Sequence, residues 1–184
     1  MGLGGYAEER VWGTDRLVKL PDGIDDHTAA AMMLQGMTVY YLINRTYQVK
    51  AGDTILFYAA AGGVGLIACQ WAKHLGATVI GTAGSDEKTE IAASFGCDHV
   101  INYSDTNVAD AVRDLTAGAG VRAVFDAVGR DTFEASLDSL ADLGHLVSYG
   151  AASGDVTGID PILFMHKGSI HFTRASLRHY TKER

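Results

Sequence analysis

At 184 residues, 47% hydrophobic and 20% charged, the chain has an ordinary globular composition and enough length for one sizeable core. Its net charge of −7, with no dense run of Lys or Arg, excludes an electrostatically driven nucleic-acid or anionic-membrane partner. No apolar stretch reaches the roughly 18 residues of a membrane span, and Met1-Gly2-Leu3-Gly4-Gly5 lacks the charged-then-apolar order of a targeting segment.

In chain order, residues 4–11 and 17–21 read as short extended pieces with no core of their own. Asp25 or Asp26 caps a helix through 34, and Gly36 separates it from a second helix at 38–43. Residues 53–73 carry the strongest pattern: a β-branched and aromatic run, a turn of small residues, then helical spacing. A buried strand follows at 77–82, then a helix at 87–95 with Ser85 as its cap and Gly96 behind it. Strands at 99–103, 121–126 and 145–149 alternate with helices at 110–115 and 133–140. After 161–165, a last strand at 169–174 belongs at a sheet edge.

Strands and helices alternating at this length give a doubly wound α/β fold of Rossmann type, a parallel sheet with helices on both faces. Ligands of such sheets bind beyond the carboxyl ends of the strands, which directs attention to residues 59–65, 82–85, 103, 126–129 and 149–151. At the first of these, the amides that open the helix lack intrahelical partners and carry the positive end of its dipole, so an anion is favoured there. Gly62 lets backbone approach a diphosphate, and Gly65 lets the helix pack closely on the strand. The strict Gly-x-Gly-x-x-Gly pattern is broken by Ala60, and on its own the turn also fits simple packing. A nucleoside triphosphatase is disfavoured, because Lys167-Gly168-Ser169 has the wrong order for a phosphate loop. Cys69 and Cys97 are isolated and expected as reduced thiols in the cytoplasm, and the seven histidines lack metal-ligand spacing. Neither a metal site nor a Ser-His-Asp or paired-carboxylate catalytic group is expected.

The blocks 59–73, Gly81-Thr82, Val100-Ile101-Asn102-Tyr103, Asp126-Ala127-Val128-Gly129-Arg130-Asp131 and Gly168-Ser169 together resemble the zinc-independent quinone oxidoreductases of the medium-chain dehydrogenase/reductase superfamily. In that family Ala-x-x-Gly-x-x-Gly, matched by Ala59, Gly62 and Gly65, replaces the stricter fingerprint. The resemblance implies NADPH as cofactor, held at the loop Ala61, Gly62, Gly63 and Val64 and at the second strand end, Gly84 and Ser85. It places Lys88 and Tyr103 at positions that contact the phosphate. It places Thr38, Val128, Gly129, Tyr149, Gly150 and Phe164 around the nicotinamide and its ribose, with Arg174 and Ser176 nearby. The residues agree with NADPH independently, since Gly81-Thr82-Ala83-Gly84 lacks the acid that would hold a ribose 2′-hydroxyl and repel a 2′-phosphate.

The implied chemistry is hydride transfer to a quinone or related electrophilic carbonyl. The open apolar edge at 169–174 invites pairing with a second copy in a homodimer, or else is covered within one chain. Family members carry a further, mainly β catalytic domain, so residues 1–50 are expected to lead in from it, 51–174 to form the dinucleotide-binding domain and 175–184 a tail. Such a piece would bind cofactor and be a poor catalyst by itself. Two other readings stay open: a nicotinamide-binding structural or regulatory protein, and a methyl-transfer enzyme on a similar sheet, which needs an acid near the second strand's end.

Overall fold

The structure is a computed structural model and describes residues 6–182. The extended piece expected at 4–11 lies partly outside the described residues. From 6 to 25 the backbone forms no strand, only a 3-10 turn at Thr14–Arg16 and a turn in which the Ile24 amide donates to the Pro21 carbonyl at 3.0 Å. The chain divides into two compact units between Met33 and Leu34.

Helix α1 (Asp26–Tyr41) starts at Asp25, whose carboxylate accepts from the Thr28 amide at 2.9 Å and the Thr28 hydroxyl at 2.8 Å. The break expected at Gly36 does not occur. The helix runs through it and widens into a π-helical turn, Leu42–Thr46. One helical glycine costs about 0.5–1 kcal/mol relative to Ala, whereas each buried aliphatic residue contributes about 1.5–3 kcal/mol. Val39, Leu42 and Ile43, all fully buried just beyond Gly36, outweigh it.

Six parallel strands follow: β1 (Thr54–Phe57), β2 (Thr78–Ala83), β3 (His99–Asn102), β4 (Val121–Asp126), β5 (Leu140–Ser148) and β6 (His171–Arg174). They lie in the order β3-β2-β1-β4-β5-β6. The crossovers carry α2 (Gly63–His74), α3 (Asp86–Ser94), α4 (Val108–Leu115), α5 (Phe133–Ser139) and α6 (Ile162–His166), and α7 (Leu177–Tyr180) follows β6. Strand β5 begins five residues earlier than the sequence pattern indicates, because Leu140 pairs with Val121 before a bulge brings His145 opposite Ala123.

Alternate residues of β1 feed two cores. Ile55 and Phe57 join Val79, Phe125 and Val147 under α1 and α2, while Leu56 and Tyr58 join Ile80, Val124 and Leu146 under α4 and α5. Both faces are covered, so the strands read as continuous apolar runs, as a doubly wound sheet requires. Cys69 and Cys97 meet in the first core as free, buried thiols, and their mutual hydrogen bond together with burial pushes the Cys69 thiol up. Beyond β6, Ala175 is buried and Tyr180 stacks on Tyr41 at 4.5 Å, so residues after 174 pack onto the core.

One close junction lies between β1 and α2. A Cβ at Gly65 would lie 2.4 Å from the Ala59 carbonyl oxygen and 2.5 Å from that of Ala60. Replacing Gly65 with Ala should therefore cost about 1–3 kcal/mol through overpacking, measured as a lower urea midpoint at unchanged m; an unshifted midpoint would disprove the contact.

At the edge of the sheet, β6 carries His171 opposite His145 of β5, their rings stacked at 4.4 Å, with the Tyr47 ring 4.9 Å from His145. Burial, then His171 and Arg122, hold the His145 imidazole below its ordinary value of 6.5. Because the unfolded chain then binds this proton more readily, the fold is favoured above that value and loses stability as the pH falls below it. Urea midpoints should fall between pH 7.5 and 5.5, and fall less in a His145→Gln variant.

Candidate functional site

Strand β1 ends at the carboxyl edge of the sheet, and the chain turns there in five residues. The Tyr58 amide donates to the Phe125 carbonyl at 3.0 Å and the Ala60 amide to the Thr82 carbonyl at 3.0 Å, so the turn is pinned to both neighbouring strand ends. Ala59 takes a left-handed φ of 54°, and Gly62 closes back on its carbonyl at 2.9 Å. Gly62 then stands at the N-cap of α2 without a side chain to close the helix end. The first helical bond runs from Leu66 to Gly62, leaving the amides of Gly63, Val64 and Gly65 ahead of it. The first turn holds no acid, and Lys73 and His74 complement the dipole at the other end. Gly62 and Gly63 are exposed, with no side chain in the way, and open helix starts of this kind favour anions.

Two cavities open at the strand ends around this turn. The larger, about 700 Å³, lies between one face of α1, the α2 terminus at Gly63 and Val64, Tyr149 after β5, and Arg174 to Ser176 after β6. The α1 face presents Gln35, Thr38 and Tyr41. Gln35 Oε1 is buried and finds no hydrogen-bond partner among the described residues, which leaves an acceptor for a bound molecule to satisfy. Burial, with Tyr180 adding and Arg174 opposing, pushes the Tyr41 phenol up to about 12, and burial likewise raises that of Tyr149, so both remain neutral donors. The second cavity, about 430 Å³, is lined by Tyr58, Tyr103, Val128 and Thr132 among others.

Asp126 at the end of β4 organises the floor between them. Its side chain is fully buried and accepts four hydrogen bonds: from the amides of Val128 (2.7 Å) and Gly129 (3.1 Å) and the hydroxyls of Thr132 (2.8 Å) and Ser136 (3.1 Å). Gly129 can follow because its φ is 97° and a Cβ would meet the Gly154 carbonyl at 2.6 Å.

Residues 63–183 match the family model described as zinc-binding dehydrogenase. The chain belongs to this family. Among its relatives there, a quinone oxidoreductase of Pseudomonas aeruginosa is 52% identical over 97% of this chain and 55% of that protein. The crystal structure of Escherichia coli quinone oxidoreductase complexed with NADPH is similar at a TM-score of 0.87 and 48% identity, covering 90% of this chain and 51% of that one. A 2-haloacrylate reductase structure is similar at a TM-score of 0.96 and 45% identity over the whole chain and 58% of its own. The chain thus spans about half the length of the relatives it matches. Despite the family's description, no group of three or more His, Cys, Asp or Glu among the described residues could hold a metal ion.

Within this family member, the residues singled out by sequence fall into separate places. Thr38, Gly63, Val64 and Tyr149 line the larger cavity, with Arg174 and Ser176 beside them. Tyr103 and Val128 line the second. Tyr103 also lies against Gly84, where a Cβ would come 2.5 Å from the phenol oxygen. Ser85 caps α3 by accepting from the Lys88 amide at 3.4 Å, and the Lys88 side chain is exposed. Ala61 packs against the first core. Gly129 and Gly150 sit in the floor, where a Cβ on Gly150 would come 2.3 Å from the Ala127 carbonyl. Phe164 departs from the set: it stacks on Phe172 at 5.5 Å within the second core and lines neither cavity.

Gln35 belongs to no sequence motif and Tyr41 reads in the sequence as a packing group, yet both line the larger cavity. Their spacing of three either side of Thr38 was the available signal, since such residues share a helix face. Asp126→Asn should loosen the floor, because an amide cannot accept from all four donors. We expect a loss of about 2–3 kcal/mol of stability, read by denaturation, and weaker protection of the Val128 and Gly129 amides in hydrogen exchange.

Proposed function

We propose that this chain is the NADPH-binding part of a zinc-independent quinone oxidoreductase, with residues 51–174 as its dinucleotide-binding core. The observation that carries the reading is the uncapped, acid-free start of α2, lying between two cavities at the carboxyl edge of the sheet. A diphosphate there would receive the amides at Gly63 and Val64, with Gly62 leaving it room. The nicotinamide end belongs in the larger cavity, where Thr38, Tyr41 and Tyr149 offer hydroxyls and Gln35 an acceptor. The adenosine end belongs toward Tyr103, with Gly84, Ser85 and Lys88 about its 2′-phosphate, because β2 ends without the acid that would repel it.

When bound, the cofactor supplies a hydride to a quinone or related electron-poor acceptor. The likeness to a 2-haloacrylate reductase extends that acceptor class to activated alkenes. This chain's own work is to orient the nicotinamide and to keep water from one side of it. Neutral Tyr41 and Tyr149 hold protons there without charging the cavity. In the whole protein we place the molecule in the cytoplasm, as a homodimer, with β6 (His171–Arg174) as the joining edge. No nucleic acid or membrane is a partner in this reading; no described helix is long and apolar enough to cross a bilayer.

Titrating NADPH and NADH into the purified chain tests the proposal. NADPH should bind more tightly, and Lys88→Ala should weaken it by about 1–3 kcal/mol while barely changing NADH. Equal losses would reject the role of Lys88, and tighter binding of S-adenosylmethionine than of NADPH would reject the cofactor.

A further inference from the structure

Strands β2 and β3 end side by side, with Ala83 opposite Asn102, and the Tyr103 amide continues the ladder to the Ala83 carbonyl at 3.1 Å. At this point the Asn102 side chain makes three hydrogen bonds. Its amide nitrogen donates to Asp86 Oδ1 at 2.9 Å and to Asp105 Oδ2 at 3.0 Å, and its carbonyl accepts from the Ser104 amide at 3.1 Å. Carboxylates only accept and a backbone amide only donates, so this network admits one orientation of the side chain. The Ser104 hydroxyl in turn donates to the Gly84 carbonyl at 3.1 Å, closing the loop over the end of β2. One residue thus ties the first turn of α3 to the loop that carries Tyr103.

The two carboxylates it holds lie no more than about 6 Å apart, since both reach one nitrogen. Asp86 directly follows Ser85 and precedes Lys88 by two residues. Like charges so near one another repel each other, and they repel any dianion that approaches. The Asn102 amide offsets that field with two donors and fixes where each carboxylate points.

Resting on the NADPH reading above, we propose that Asn102 is a positioning residue for nucleotide selectivity: it restrains Asp86 and Asp105 so that Ser85, Lys88 and Tyr103 can accept a 2′-phosphate. Exchange of Asn102 for Asp removes both donors and adds a third negative charge. NADPH, which carries the 2′-phosphate, should suffer, and NADH, which lacks it, should not.

The test is calorimetric titration of both nucleotides into the purified chain, for the native protein, Asn102→Asp, and the double variant Asn102→Asp with Asp105→Asn. The double variant returns the original number of charges and an amide between positions 102 and 105, but leaves Asp86 without its donor. We expect the single variant to lose at least tenfold in NADPH affinity, with NADH changed less than twofold, and the double variant to recover only part of that loss; full recovery would show that charge alone, not restraint of Asp86, sets the preference and would overturn the role of Asn102. Matching losses for both nucleotides, or an unaltered preference for NADPH in Asn102→Asp, would overturn the role of Asn102 while leaving the cofactor reading intact. A native chain that does not prefer NADPH would instead overturn the cofactor reading and this inference with it. The thermal midpoint of each variant, measured alongside, shows whether it is folded, and the ratio of the two affinities separates selectivity from general loosening.

Discussion

The closeness of α2 to the end of β1 is the constraint on which the rest of the molecule depends. Gly65 sits against the carbonyls of Ala59 and Ala60 at distances no side chain could share. Gly81 does the same on β2, where a Cβ would come 2.6 Å from Cys97 Sγ and 2.7 Å from the Ala60 Cβ. These two approaches bring the β1 turn down onto the sheet and aim the start of α2 across the carboxyl ends of the strands. Any anion-binding capacity at that helix end follows from this steric fit, because the amides act as a group only while the turn holds them together.

Around that point the fold divides its polar groups by task. Asp126 is buried and saturated by four donors, so its charge serves the floor and is not free to act on a ligand. Tyr41 and Tyr149 are held neutral by burial, whereas Asp86 and Asp105 stay exposed and are restrained by a single amide. The larger cavity's phenols thus stay uncharged, while charge beyond the ends of β2 and β3 is managed by geometry.

Much of the sheet was legible in the sequence because both of its faces are covered. Apolar runs such as residues 121–126 then match whole strands, and Ser85 and Gly65 announce a cap and a close approach by residue type alone. Local rules failed where packing overrode them. Gly36 did not break α1, since the residues beyond it are buried more profitably in a helix than apart from one. Leu140 left the helix expected for it because a strand partner, Val121, was in reach.

By itself the sequence determined the order of strands and helices, the glycine-lined turn and the absence of an acid at the end of β2, all properties carried by neighbours along the chain. Only the tertiary structure decided which distant residues share a cavity: that Gln35 and Tyr41 face Tyr149 and Arg174, that Phe164 turns to Phe172, and that Asn102 spans two carboxylates sixteen and three residues away. The reason is that strand order is a long-range outcome. Parallel neighbours are joined by crossovers rather than by adjacency, so what meets at the carboxyl edge depends on how the whole sheet closes its two cores.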